Sequence, residues 1–399
     1  LKDLNVNLHV KMGRAIAIPS ISLRRFLSGG LEAAAECRAL DVACRDVGLF
    51  RLREHGIPAD IWRGIFPAAA RFFALDGAIL EETHFSRARV WPGSALGFPV
   101  RGYVGLRAER LGPLPGDVPD RKEAWDMADE MPPGGAAAPF HGPNLWPPEA
   151  VLAAEDFREP VLAYQSAVKH VAAQLVRMCA VALGRPLFSF AAAYERDTHV
   201  MRLLRYPART DFDSLADDGA QPCSAHTDQG FFTLLKQDGT GGLQVRLRTD
   251  KDRRGQDKAR EHRAYDEDEG DAGWSDVPPE EDSLVVQVGD TLCAWTGGAY
   301  RSTVHRVVAP VEAGRDRYSV GYFHDPGAHV PMLLHCPPQE DCGDDALLNP
   351  GILNLLHKSG LPQNAAGVAE LRSLSFAQYK QRVFTKFKPD EVPHAMEST

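Results

Sequence analysis

The stretch Cys223-Ser224-Ala225-His226-Thr227-Asp228-Gln229-Gly230-Phe231-Phe232-Thr233-Leu234-Leu235-Lys236-Gln237-Asp238 decides how this chain is read. Two short runs flank a Gln-Gly break, and the second is rich in aromatic and leucine residues. That is the pattern of strand, turn, strand. Working outward, a period of two persists from Thr198 to Asp325. Candidate strands are 199–206, 223–228, 231–238, 243–248, 284–289, 291–296, 302–309 and 317–324, with Gly, Asp or Pro between them. Eight short strands with turn signals predict a sandwich or barrel, and a double-sheet jelly roll has eight.

The flanks read differently. Ala15 to Ile21 and Gly48-Leu49-Phe50 predict strands, and 31–47 and 59–75 predict helices. Residues 86–150 are dense in Pro and Gly and predict long surface loops, a type of segment that often carries function. Pro160 opens the clearest helix, with Val161, Tyr164, Val168, Val171, Leu175, Met178 and Ala182 on one stripe and Gly184 just past its end. After the strands, 331–366 predicts loop with a short helix at 351–358, and 367–388 predicts helix. The expected organisation is a mainly β protein with flanking helices. Residues 1–150 form an N-terminal α/β region with loops over the site, 151–197 a helical spine, 198–330 the β core, and 331–399 a C-terminal loop and helix. One connection breaks the rhythm: 246–263 holds eight Arg or Lys against four acids, and 266–282 holds nine acids and no base. With no apolar stripe to bury, 249–273 is expected to be a solvated, mobile insertion.

Composition narrows the class. The chain has 399 residues, 44% hydrophobic and 25% charged, the balance of a globular protein. No stretch approaches the ~20 apolar residues of a membrane helix. A net charge of −9 argues against a nucleic-acid coat. The seven cysteines contain no C-x-x-C pair, which predicts buried free thiols in a reducing, cytoplasmic setting. A monomer acting on a small molecule, with no membrane or nucleic-acid partner, is the expectation.

Residues two apart in a strand share a face, so the side chains of His226 and Asp228 reach one point. His305 follows in Ser302-Thr303-Val304-His305-Arg306-Val307-Val308, another strand-like run. Any one histidine here reads as an ordinary half-buried residue. Two histidines and a carboxylate together make the facial set of non-haem Fe(II) oxygenases, which leaves positions open for substrate and dioxygen. Arg317-Tyr318-Ser319 adds a guanidinium fork and a hydroxyl on one strand face, suited to the far carboxylate of 2-oxoglutarate.

These motifs, with Gly242-Leu243-Gln244-Val245 and Val288-Gly289-Asp290, stand in an order that resembles the isopenicillin N synthase-like branch of the Fe(II)/2-oxoglutarate-dependent dioxygenases. The N-terminal part is similar too, through Gly48-Leu49-Phe50, His55-Gly56-Ile57-Pro58, Phe72-Phe73-Ala74-Leu75, Arg101-Gly102-Tyr103 and Gly142-Pro143-Asn144-Leu145-Trp146-Pro147. The resemblance implies a distorted double-stranded β-helix with a helical N-terminal region. It implies Fe(II) on His226, Asp228 and His305, and 2-oxoglutarate on Arg317 and Ser319 with help from Tyr206. Dioxygen is the oxidant, succinate and carbon dioxide are released, and a small or medium organic molecule is hydroxylated or desaturated. Many family members carry Asn where this chain has Leu204, so that amide contact is absent. Family analogy sets the substrate near Arg101, Tyr103, Phe231 and Phe323. Two other readings use the same residues: an Fe(II) oxidase that does not consume 2-oxoglutarate, and a binding protein with a relic site.

Overall fold

The computed structural model describes residues 17–87, 101–109, 111, 118–130, 142–208, 221–247, 273–308, 314–334 and 349–387, the last four by backbone only. The twelve strands among them are β1 (Ser20–Ser22), β2 (Leu49–Arg53), β3 (Gly102–Val104), β4 (Glu123–Met127), β5 (Val200–Tyr206), β6 (Cys223–His226), β7 (Phe232–Gln237), β8 (Leu243–Arg246), β9 (Trp274–Asp276), β10 (Leu284–Val288), β11 (His305–Val307) and β12 (Arg317–His324). They form an eight-stranded sheet ordered β1-β2-β10-β7-β12-β5-β4-β3 and a four-stranded sheet ordered β6-β11-β8-β9. Strands β5 to β12 are the eight of a jelly roll, four in each sheet. The N-terminal region adds two strands to each edge of the larger sheet.

Alternation along β12 shows how the sheet is used. Tyr318, Val320 and Tyr322 turn toward the helices and join the main hydrophobic core. Arg317, Ser319 and Phe323 turn to the other face, toward the smaller sheet, where Leu204, Tyr206, Cys223, Leu235, Leu243, Val245 and Val307 form a second core. On the helical side, α1 (Leu23–Ser28) precedes three longer packing helices, α2 (Gly30–Asp46), α3 (Ala59–Phe73) and α5 (Arg158–Ala182), with α4 (Gly77–Glu82) between the last two. The expected stripe on α5 is buried from Val161 to Met178. Phe72 of α3 stacks on Phe157 at 4.8 Å. Each such side chain fully removed from water contributes roughly 1.5–3 kcal/mol.

Several expectations need correction. Residues 291–296 are not a strand: α6 (Asp290–Trp295) is a short helix. All its residues are buried, so neither period shows in the sequence. The eighth core strand is instead β9, whose Trp274 lies under the Arg306 guanidinium at 4.2 Å and whose Asp276 accepts from Gln244. Residues 86–150 are not all loop, since they contain β3 and β4, and β4 is buried on both faces. The C-terminal helical span is broken. After α7 (Pro350–Ser359) come α8 (Ala365–Ser373) and α9 (Phe376–Phe387), with Asn364 capping the first of these two. Of the charged span 249–273, all but Gly273 lies outside the described residues, as do Ala15 and Ile16 of the first expected strand. The five described cysteines are free and buried. No helix among the described residues is long and apolar enough to cross a membrane.

Candidate active site

His226 ends β6 and His305 opens β11, and the antiparallel register sets them directly opposite each other. The Nδ1 atom of each ring is engaged by a carbonyl two residues earlier, His226 with Ser224 at 2.8 Å and His305 with Thr303 at 3.2 Å. With Nδ1–H committed as donor, Nε2 is left as a lone-pair ligand on both rings. Both Nε2 atoms lie 3.8 Å from Asp228 Oδ1. Asp228 Oδ2 is buried with no hydrogen-bond partner. Two imidazole nitrogens and a carboxylate with an unsatisfied oxygen, all within 4.8 Å of one another, suit a non-haem iron.

The electrostatics favour the metal-ready protonation states. Burial, and then the neighbouring His226, push His305 down to about 4. Burial likewise lowers His226. Burial alone would raise Asp228, but His305, His226 and a hydrogen bond from Thr233 outweigh it and hold the carboxyl below its usual range.

Arg317 and Ser319 lie on the inward face of β12. Arg317 is only 1% exposed, with its guanidinium over the Tyr206 ring at 4.7 Å. Nε donates to Gly241 O at 2.6 Å, Nη1 to Ser319 Oγ at 3.3 Å and Nη2 to Gln237 Oε1 at 3.4 Å. Tyr206 shares a hydrogen bond with Ser319. Among the described residues no carboxylate pairs with this buried cation. Leu204 stands opposite Ser319 in the ladder and offers only apolar surface there.

Beside this site lies a buried ionic network that no sequence signal marked. Lys122 Nζ contacts Asp120 at 2.7 Å, Glu109 at 3.6 Å and Cys223 Sγ at 3.6 Å. Arg202 bridges Glu109 and Asp126. Asp120 Oδ1 accepts from both the backbone N–H and the hydroxyl of Ser224, the residue whose carbonyl orients His226. Its members come from separate loops and strands, so only the fold assembles it.

The four residues expected to meet substrate are not brought together as a unit. Phe323 is half-buried on the same face as Arg317 and Ser319. Tyr103 turns instead to the helical side, donating to Glu123 at 2.5 Å and packing on Phe72. Phe231 is buried among Phe190, Tyr194 and Trp295 at 5.4–5.7 Å. Arg101 is fully buried; burial lowers it to about 10 while Glu130, Asp126 and Asp129 favour its charge. A second group, Asp129, Asp197 and His199, also clusters like a metal site, but the Lys169 ammonium bridges its two acids.

Comparison with known proteins agrees with this geometry. The model of the 2OG-Fe(II) oxygenase superfamily matches residues 198–326, and that of the N-terminal region of the non-haem dioxygenase in morphine synthesis matches 18–149. The 2-oxoglutarate-dependent dioxygenase traH of Penicillium crustosum is 32% identical over 77% of this chain and 83% of its own. Clavatol oxidase claD of the same fungus is 30% identical over 77% and 85%. The solved structure of a full-length Neurospora crassa protein in complex with alpha-KG is similar with a TM-score of 0.64 and 25% identity, covering 83% of this chain and 91% of that one. The chain therefore belongs to the Fe(II)- and 2-oxoglutarate-dependent oxygenases, and its fold, cofactors and reaction class are theirs.

Proposed function

We propose that His226, Asp228 and His305 hold the Fe(II), that Arg317, Ser319 and Tyr206 hold 2-oxoglutarate, and that the chain hydroxylates or desaturates a small or medium organic molecule. The bound iron supplies dioxygen activation coupled to conversion of 2-oxoglutarate to succinate and carbon dioxide. The protein's part is positional. The Nδ1 bonds of His226 and His305 aim both rings, and Arg317 fixes the far end of the cosubstrate. The observation that carries the assignment is Arg317 itself. A fully buried guanidinium that meets no carboxylate among the described residues is costly unless a ligand supplies one. Named relatives acting on small metabolites, such as clavatol oxidase, support a small-molecule substrate. A monomer that binds neither nucleic acid nor membrane belongs to the same reading.

The test is a metabolite pool screened with purified protein, Fe(II), 2-oxoglutarate and oxygen for substrate-dependent succinate release. Product formation without succinate would remove 2-oxoglutarate from the reaction and with it the role given to Arg317.

A further inference from the structure

Strand β6 ends at His226, so Thr227 and Asp228 lie beyond the ladder and no strand pairing holds them. Yet His226 and Asp228 must keep one spacing to share an ion. What holds the intervening backbone comes from the far end of the chain. Lys358, near the end of α7, is 5% exposed. Its Nζ donates to the Thr227 carbonyl at 2.7 Å and to Thr227 Oγ1 at 2.8 Å, and pairs with Asp290 Oδ2 at 2.5 Å. Thr227 Oγ1 donates in turn to Asp290 Oδ2 at 3.1 Å. The backbone N–H of Asp290 donates to the Asp228 carbonyl at 2.8 Å. Asn354, one turn before Lys358, donates to Asp290 Oδ1 at 2.9 Å.

The helix that carries Lys358 is itself set firmly. Its N-terminus is capped by Asn349, and a Cβ at Gly351 would come within 2.5 Å of Ala294 N and 2.7 Å of Asp290 O. The two helices thus meet backbone to backbone, and Lys358 projects from a fixed base.

We infer that Lys358 and Asp290 are positioning residues that clamp the Thr227 backbone and so set the reach of His226 and Asp228 toward the metal. This rests on the iron assignment above. An ion pair between α6 and α7 alone would need only the Lys358–Asp290 contact. The two additional bonds to Thr227, and the one from Asp290 to Asp228, fall on the segment joining the two ligands. The pair is also net neutral, so it holds the loop without adding a repulsive charge beside a cation.

The experiment titrates apo-protein with Co(II), read by its visible absorption, and follows thermal melting of the same apo samples. Two variants are compared with wild type. Lys358→Met/Asp290→Asn removes both charges together, so neither is left buried alone. Thr227→Val keeps the shape and deletes the hydroxyl. The double variant is expected to bind Co(II) roughly 10–100-fold more weakly, as for other groups that orient metal ligands, with an altered spectrum and a melting midpoint close to wild type. Thr227→Val should shift affinity in the same direction by less. Unchanged affinity and spectrum in the folded variants would overturn the inference, as would metal loss that only tracks the unfolded fraction. Wild-type protein that fails to bind one Co(II) would instead sink the iron assignment on which the inference rests.

Discussion

His226 and His305 face each other across an antiparallel pair with their ring centroids 4.3 Å apart, although they lie on strands distant in sequence. The register shifts between His305 and Val307, a bulge of the kind that re-aims a side chain at the end of a pairing. Backbone pairing therefore brings the two imidazoles to one face and leaves their side chains free for the ligand role proposed above. His305→Ala should abolish stoichiometric metal binding and turnover while the far-ultraviolet circular dichroism is retained. A His305→Ala protein with full metal content and activity would show that the ligand lies elsewhere.

Arg317 leads to a second expectation. Removing one partner of a buried, hydrogen-bonded charge pair costs roughly 3–5 kcal/mol. At ~1.4 kcal/mol per tenfold, Arg317→Ala should raise the apparent 2-oxoglutarate constant by a few hundred-fold or more. Arg317→Lys should lose less, because the charge remains but the fork does not. Ser319→Ala deletes one hydrogen bond to a charged group, about 1.5–3 kcal/mol. The check is the 2-oxoglutarate constant at saturating Fe(II) and substrate. A rise confined to the substrate constant would contradict the assignment.

Lys236 offers a test by pH. It lies on the helical side of β7 with Nζ 3.7 Å from the Trp62 ring centroid, bonded to the Trp62 carbonyl and paired with no carboxylate among the described residues. Burial lowers it to about 7, with Asp282 opposing. An unfolded lysine titrates near 10.4, so between about pH 7 and 10.4 the unfolded chain holds the additional proton. Stability should rise with pH across that window, and the full cost of the buried charge is present below it. Lys236→Met should raise the melting midpoint at pH 7 and lose its advantage toward pH 10. The cation–π contact, worth roughly 0.5–2 kcal/mol, offsets part of the gain. Equal destabilisation at both pH values would show that the ammonium is not under strain.

Gly289 allows no side chain. A Cβ there would sit 2.1 Å from Gly230 O and 2.6 Å from Gly230 C, both backbone atoms of the turn that follows Asp228. Gly289→Ala should therefore destabilise by about 1–3 kcal/mol or more and disturb the turn that carries Asp228, the proposed ligand. Denaturant unfolding reads the first effect and Co(II) affinity the second. An unchanged midpoint would mean that the two turns can separate at little cost.

Much of this is legible in the sequence alone. Period-two patterning announces the jelly roll, and the i, i+2 rule puts Arg317 with Ser319 on a shared face. His226 and Asp228 do converge, but the expected strand 223–228 stops at His226, so the turn that follows, not the pleat, brings Asp228 there. Failures come where burial erases the pattern. The run Leu292-Cys293-Ala294-Trp295 is apolar throughout, and a fully buried single turn of helix looks like a strand. Trp274-Ser275-Asp276 sits inside an acidic run whose charge masks a pairing with β8. Tyr103 carries a reasonable substrate role by position, but the pleat turns it to the helical side. Lys358 has no local signal at all, since its meaning depends on α7 meeting the turn after β6. The networks around Asp120 and Asp290 share that property: each joins groups distant in sequence, and only the assembled fold shows them.

The central claim is that one metal on His226, Asp228 and His305 and one 2-oxoglutarate on Arg317 share a single site. The most direct measurement is an anaerobic titration of the Fe(II)-loaded protein with 2-oxoglutarate, following the visible charge-transfer absorption of a keto acid chelated to iron. Wild type should saturate at one equivalent, His305→Ala should give no band, and Arg317→Ala should give the same band only at far higher 2-oxoglutarate. No band in wild type, or a band that forms equally well without His305, would contradict the account.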